Sequence, residues 1–184
     1  MKTFFVEKEL VYDGTQLCSH FAYKNFNISG DSIVGFSGPV NVRLSEMVDI
    51  EDVIAKEPIL SDLMLNFIIE VFDFELKGLI CLQRLFICIL KELIEKDCGK
   101  SIERKGDDLF FSGRKLSVSI ATKSPISGLI HTALNIKNTG TPIPVASLEE
   151  LNIEPHNFAL RAMESFAREY ESVLFARTKV NWVK

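Results

Sequence analysis

The chain has 184 residues, of which 47% are hydrophobic and 25% charged, and its formal net charge is −4. This composition is typical of a globular protein and excludes a disordered one, and the length suits a single domain, predicted over residues 1–184. The negative net charge excludes an overall basic surface, so we expect no nucleic-acid partner and no attraction to an anionic membrane. Because the longest uninterrupted apolar run, Leu85–Leu90, is far shorter than a membrane span, we expect no membrane insertion.

The cysteines indicate a reducing compartment. No two of them have CxxC spacing, and the chain is too long to need disulfide staples. They are Cys18, Cys81, Cys88 and Cys98. The first residues, Met1–Lys8, reach charged side chains too early for a signal peptide. We therefore expect a cytoplasmic protein.

The N-terminal half is predicted to mix strands with short helices. Residues 4–12 alternate roughly and are predicted as a strand, and 15–25 as a short helix that Thr15 caps. Residues 32–44 are predicted as a strand that passes through the Gly38-Pro39 turn. An acidic short helix or loop follows at 45–56, and the apolar segment 61–72 is predicted as a helix.

The clearest helix is predicted over Leu79–Lys96, where apolar residues recur at three-and-four spacing and Gly99 ends the helix. After it we predict three short strands, at 101–104, 108–111 and 114–122, and a fourth strand at 129–136. A Pro/Thr/Gly loop follows at 138–147, then a helix that begins at Pro155 and a closing strand at 174–180. This order of elements predicts one α+β domain.

Two neighbouring segments, 114–122 and 129–136, alternate with a period of two, as half-buried antiparallel strands do. If they pair, polar and small side chains collect on one face. These are Lys115, Ser117, Ser119, His131 and Asn135, with alanines between them. Such a face is either a ligand cleft or a solvated outer surface, and its small, weakly polar residues favour the cleft.

Lys115 is the strongest candidate for chemistry. A lysine flanked by apolar strand residues can hold a carboxylate or phosphate as a point charge and stabilise the charge that develops as an acyl phosphate forms. The alternative is a solvated strand lysine. Arg84, in the most apolar helix, needs an acidic partner if it is buried, and Asp107 or Asp108 is the candidate. The histidines lack metal-ligand spacing, so no metal site is predicted.

The segment Asp107–Ser117 resembles a signature of the biotin and lipoate protein ligases: an Asn-Asp pair, an apolar strand, a tight turn, then Gly-(Arg/Lys)-Lys-(Leu/Ile)-(Ser/Ala)-Gly. Here Asp107 replaces the asparagine of that pair. In that family the residue that matches Lys115 contacts the carboxylate of the acid and the α-phosphate of the adenylate. Ala133–Ile136 is similar to a later Gly-Ile-Asn-Val strand of the ligases. Asp13–Gln16 is similar to their Asp-Ser-Thr-Asn opening.

The whole chain also resembles a family of uncharacterised archaeal and bacterial proteins of this length. The shared motifs are Tyr12–Leu17, Gly38-Pro39, Met47–Asp52 and Lys115–Thr122. The resemblance implies a biotin/lipoate ligase-like fold, shared with class II aminoacyl-tRNA synthetase cores. It also implies a mixed, mostly antiparallel sheet packed on helices, with no established activity.

The polar strand face and the resemblance together give the candidate residues their expected roles. Lys115 would be the catalytic residue and Asp108 would orient Lys115 or a metal. The other ligand-binding candidates are Ser117, Ser119, His131, Asn135, Gln16 and Arg43. ATP and Mg²⁺ are the candidate cofactors. The chain departs from the ligases at Val118, which replaces a glycine, and it lacks their glycine- and arginine-rich adenylate loop, near which Arg43 is the one basic residue.

Three functions therefore remain open. The first is acyl transfer or adenylate formation from a carboxylic acid. The second is a non-catalytic protein that binds a small molecule on the same fold. The third is a homo-oligomeric scaffold, such as a homodimer, that uses an exposed sheet edge.

Overall fold

The computed structural model describes residues 1–56, 59–72 and 74–183. Its strands are β1 to β8 in chain order: Lys2–Val6, Ser32–Val42, Ile59–Phe72, Glu103–Lys105, Asp108–Phe111, Arg114–Lys115, Ser117–Lys123 and Ser127–Asn135. Its α-helices are α1 to α4: Phe21–Phe26, Ile50–Ala55, Leu76–Cys98 and Pro155–Ala176. A 3₁₀ helix, Leu44–Glu46, precedes α2. No helix among the described residues is long and apolar enough to cross a membrane.

Five strands form one sheet in the order β1-β2-β3-β8-β7, and β4-β5-β6 form a small second sheet. The strand β1 runs parallel to β2, and the other neighbours are antiparallel. Helices α3 and α4 pack on one face of the large sheet, which is called the helix side below. The predicted mixed, mostly antiparallel α+β architecture is confirmed.

The larger core lies on the helix side, because α3 and α4 each bury an apolar stripe against the sheet. Phe86 of α3 joins the layers: its ring centroid lies 5.2 Å from that of Phe67 on β3 and 4.8 Å from that of Phe166 on α4. Gly99, in a left-handed conformation, ends α3 as predicted. This core fixes the sheet and therefore the strands that carry the candidate residues.

The opposite face of the sheet is covered by residues 7–28, called the cover segment, and is called the cover side. The backbone of the cover segment follows β2: the amide of Leu10 donates to the Ser37 carbonyl, and the amide of Tyr12 to that of Pro39. Further along, the amide of His20 donates to the Glu70 carboxylate at 2.8 Å. Both faces of the central strands are therefore covered, and every residue of β8 is buried.

Two predicted elements are wrong. The segment 61–72 is not a helix but most of β3, which is buried on both faces and therefore shows no alternation. The segment 174–180 is not a strand, since α4 continues to Ala176 and its inner stripe still finds apolar partners. Two more predictions hold in part: the first strand, predicted over 4–12, ends at Val6, and only residues 21–25 of the predicted helix 15–25 lie in α1.

Candidate functional site

The strand register divides the residues that were expected to share one face. Ser117 pairs with Leu134, and Ser119 pairs with Thr132, whereas His131 pairs with Ile120. Residues directly opposite in an antiparallel pair project to the same side. The two serines therefore face the helix side and His131 faces the cover side, so the expectation of one common face is wrong.

The reason for this division is a break in alternation at Leu116. Leu116 and Ser117 are adjacent, yet both are fully buried toward the helix side, where Leu116 belongs to the larger core. The break separates β6 from β7 and reverses which side the odd-numbered positions face. Lys115, before the break, keeps its ammonium group at the surface, and Val118, after it, packs on the cover side.

The serines belong to a hydrogen-bonded network on the helix side. The Gln83 amide of α3 donates to the Ser119 hydroxyl and to the Asp107 carboxylate, each at 2.9 Å. Asp107 also pairs with Arg84 at 3.0 Å, which confirms one of the two predicted partners. The Ser117 hydroxyl accepts from the Leu109 amide. These bonds join α3 to β5 and β7, so the two serines are held by protein groups.

Replacing Gln83 with leucine should lower the free energy of unfolding by about 1–2 kcal/mol, because the partly buried Ser119 hydroxyl and the Asp107 carboxylate each lose a donor. Urea denaturation measures the change. Ile80→Ala, at an exposed position of the same helix, is the matched control and should change stability by less than about 0.5 kcal/mol. Equal stability of Gln83→Leu and wild type would show that the network contributes nothing.

Lys115 lies beside two other candidates. Its ammonium nitrogen is 2.9 Å from a carboxylate oxygen of Asp108, and its side chain remains 36% exposed. The Asn135 amide donates to the Lys115 carbonyl at 3.3 Å. Burial raises the pKa of Asp108 and outweighs the opposing attraction of Lys115. Lys115, Asp108 and Asn135 therefore form one cluster, called the lysine site.

His131 lies farther along the cover side of β8, four residues from Asn135. The ring of Tyr12 stacks on its imidazole with centroids 3.7 Å apart, and its Nε2 is 3.1 Å from the Asn66 amide oxygen. Burial lowers the pKa of His131 to about 3, so the imidazole is neutral at neutral pH. On the cover side of β8, Ala133 lies between His131 and Asn135 and is fully buried.

Sequence reasoning missed Tyr12 and Asn66 as site residues. Asn66 is an uncharged amide inside the apolar run 63–72, and a buried amide needs partners, which was a usable signal. In the sequence, Tyr12 was noted only as the last residue of a predicted strand and the first of the motif Tyr12–Leu17. Its contact with His131 depends on the path of the cover segment, which no local pattern reveals.

The remaining two candidates lie away from the lysine site. The Gln16 amide donates to the Val11 carbonyl and its oxygen accepts from the Asp13 amide, so Gln16 shapes the turn of the cover segment at Asp13. Arg43 lines a separate pocket of about 320 Å³ with Asp13 and Glu46. The residues that line this pocket include no other predicted site residue. The carboxylates there oppose the guanidinium charge.

Comparison with known proteins supports the architecture. Residues 1–181 match the family described as a domain of unknown function, DUF366. A protein of unknown function from Pyrococcus horikoshi has a solved structure that is 42% identical, with a TM-score of 0.95 over 100% of this chain and 99% of that one. The chain is thus similar to that protein over its whole length.

The fold is also similar to that of the ligases. The biotin protein ligase from Aquifex aeolicus in complex with biotin and ATP is 14% identical, with a TM-score of 0.62 over 91% of this chain and 69% of that chain. A lipoate-protein ligase A bound with ATP is 13% identical, with a TM-score of 0.55 over 92% of this chain and 85% of that chain. The predicted biotin/lipoate ligase-like fold is confirmed by these similarities.

Proposed function

This chain belongs to the DUF366 family of uncharacterised proteins, and we propose that it binds a small carboxylic acid through the ammonium group of Lys115. The single observation that carries the proposal is the lysine site. Lys115 is held by Asp108 at 2.9 Å but is still partly exposed, so an arriving carboxylate can reach its ammonium group. Asn135, bonded to the Lys115 carbonyl, fixes the backbone beneath the ammonium.

The ligand class follows from the surroundings of the lysine site. On the cover side next to Lys115, Val118 is partly exposed, whereas Ala133 opposite it and the stacked rings of Tyr12 and His131 are buried under the cover segment. The part open to solvent is the rim at Lys115 and Val118, so an acid with a small apolar body suits it. The ligase of the same fold holds biotin, a carboxylic acid, which supports an acid as the ligand of this chain as well.

Replacing Lys115 with alanine should weaken binding of the acid by about 10- to 100-fold, because a charged hydrogen bond to the carboxylate is lost. Calorimetric titration with biotin, lipoic acid and a series of short-chain acids measures the loss. Lys123→Ala is the matched control: it removes the same charge from the exposed end of β7 and should leave binding unchanged.

Three results would contradict the proposal. One is the absence of binding by wild type to every acid in the series. Another is equal affinity of wild type and Lys115→Ala. The third is an equal loss in Lys115→Ala and Lys123→Ala, which would indicate a non-specific effect of net charge.

A second candidate function is adenylate formation from the same acid. Two ligases of this fold are bound with ATP, and this favours nucleotide use. ATP and Mg²⁺ would then be the cofactors, and Lys115 would stabilise the charge on the phosphate that becomes bonded to the acid. Exchange of labelled pyrophosphate into ATP, with Mg²⁺ and the bound acid, tests it. Binding without exchange would leave the protein a non-catalytic binder.

A further inference from the structure

An exposed apolar surface lies on the segment that follows β2. Its exposed apolar members are Leu44, Val48, Ile50, Val53 and Ile54. Residues 44–55 are called the acidic patch because their charged residues, which lie between Arg43 and Lys56, are all acidic: Glu46, Asp49, Glu51 and Asp52. Ile54 is 76% exposed. Ile50, Val53 and Ile54 lie on α2 at the spacing that places side chains on one helix face, and a group of exposed apolar side chains of this kind marks an interaction surface.

A second exposed apolar surface lies after α4. Residues 177–183, called the tail, carry Val180, Trp182 and Val183, and Trp182 is 94% exposed. The charged residues of the tail are Arg177 and Lys179, both basic. Trp182 is the only tryptophan of the chain. The acidic patch and the tail are thus complementary in charge, and each offers apolar area to the other.

The tail cannot reach the acidic patch of its own chain. The Tyr170 hydroxyl donates to Asp31, which fixes the C-terminal part of α4 at the start of β2, whereas the acidic patch follows the other end of β2. A strand of the length of β2 spans about 33 Å. The six residues from Ala176 to Trp182 extend over at most about 21 Å. Helix α4 also runs away from the patch, because His156, near its first residue, contacts Glu7, whereas Tyr170, near its last turn, contacts Asp31 at the start of β2.

We propose that the tail of one copy docks on the acidic patch of a second copy, and that two copies do so reciprocally. The patch and the tail lie at opposite ends of the same sheet. Two copies placed side by side and antiparallel therefore bring each tail to the other copy's patch with two-fold symmetry. A closed pair of this kind uses the same surfaces twice, as most homodimers do.

Sedimentation velocity over about 1–200 μM protein tests the proposal. The mass of wild type should double with rising concentration, and the emission of Trp182 should shift to shorter wavelength over the same range as the indole leaves water. Ile54→Asn in the patch and Trp182→Ala in the tail should each remain monomeric. Raising the salt to about 0.5 M should weaken the pair, since opposite charges face each other.

Ile126→Asn is the matched control. It makes the same substitution at an exposed isoleucine in the β7–β8 hairpin, outside both surfaces, and should still form the pair. Because Trp182 lies in the exposed tail, its replacement tests the contact even if Ile54→Asn fails to fold. Wild type that stays monomeric throughout, a pair that survives Trp182→Ala, or growth beyond two copies would each overturn the proposal.

Discussion

Replacing Gly38 with alanine should lower the free energy of unfolding by about 3 kcal/mol, at the upper end of the cost of overpacking. A Cβ atom at Gly38 would lie 1.9 Å from the Leu10 carbonyl oxygen and 2.7 Å from its carbon. These are backbone atoms, so they cannot rotate away as a side chain does. The cover segment must then leave β2, with loss of the hydrogen bond from the Leu10 amide to the Ser37 carbonyl.

Urea denaturation of Gly38→Ala measures this loss. Gly78→Ala is the matched control, because Gly78 lies in α3 and its nearest neighbours are side-chain atoms of Phe74, at 3.3 Å. Alanine favours helix more than glycine does, so the control should be about as stable as wild type or more stable. A Gly38→Ala protein that unfolds at the wild-type urea concentration would show that the cover segment adapts without cost.

The protein should lose stability in acid below pH 6.5 because of His131. Burial lowers the native pKa of His131 from 6.5 to about 3, whereas the unfolded chain regains the ordinary pKa. Between these two values the unfolded state binds a proton that the native state does not. This contribution therefore destabilises the fold progressively as the pH falls from 6.5 toward 3, by about 1.4 kcal/mol for each pH unit, and is absent above 6.5.

The slope of stability against pH isolates this effect from the general acid sensitivity of the carboxylates. His131→Gln should have a smaller slope between pH 6 and pH 4 than wild type, by about 1.4 kcal/mol per pH unit, whatever its absolute stability. If wild type and His131→Gln have the same slope, the imidazole of His131 is protonated in the native protein.

Secondary structure was predictable where one physical cause dominates. The helix predicted over 79–96 is α3, Leu76–Cys98, since a long apolar stripe at helical spacing has no other interpretation. The prediction of a helix over 61–72 was wrong because burial on both faces of β3 removes the alternation that identifies a strand. A continuous apolar run of that length is then compatible with a buried helix as well.

The candidate site was predictable only in part, and the reason is register. Alternation shows which residues of one strand share a face, but it does not show which faces of two strands coincide. Here the pairing of Ser117 with Leu134 and the break at Leu116 send the serines to the helix side. Lys115, Asp108 and Asn135 do come together, because they lie near the break.

The contact between β1 and α4 bears on how the chain folds as it is synthesised. The amino group of Met1 binds the Glu171 carboxylate across 170 sequence positions, and Phe5 packs edge-on against the His156 ring. Strand β1 therefore emerges from the ribosome long before the helix that packs against it. The docking of α4 onto this edge strand therefore becomes possible only after nearly the whole of the described chain has been synthesised, so it is a contact of high sequence separation that forms late.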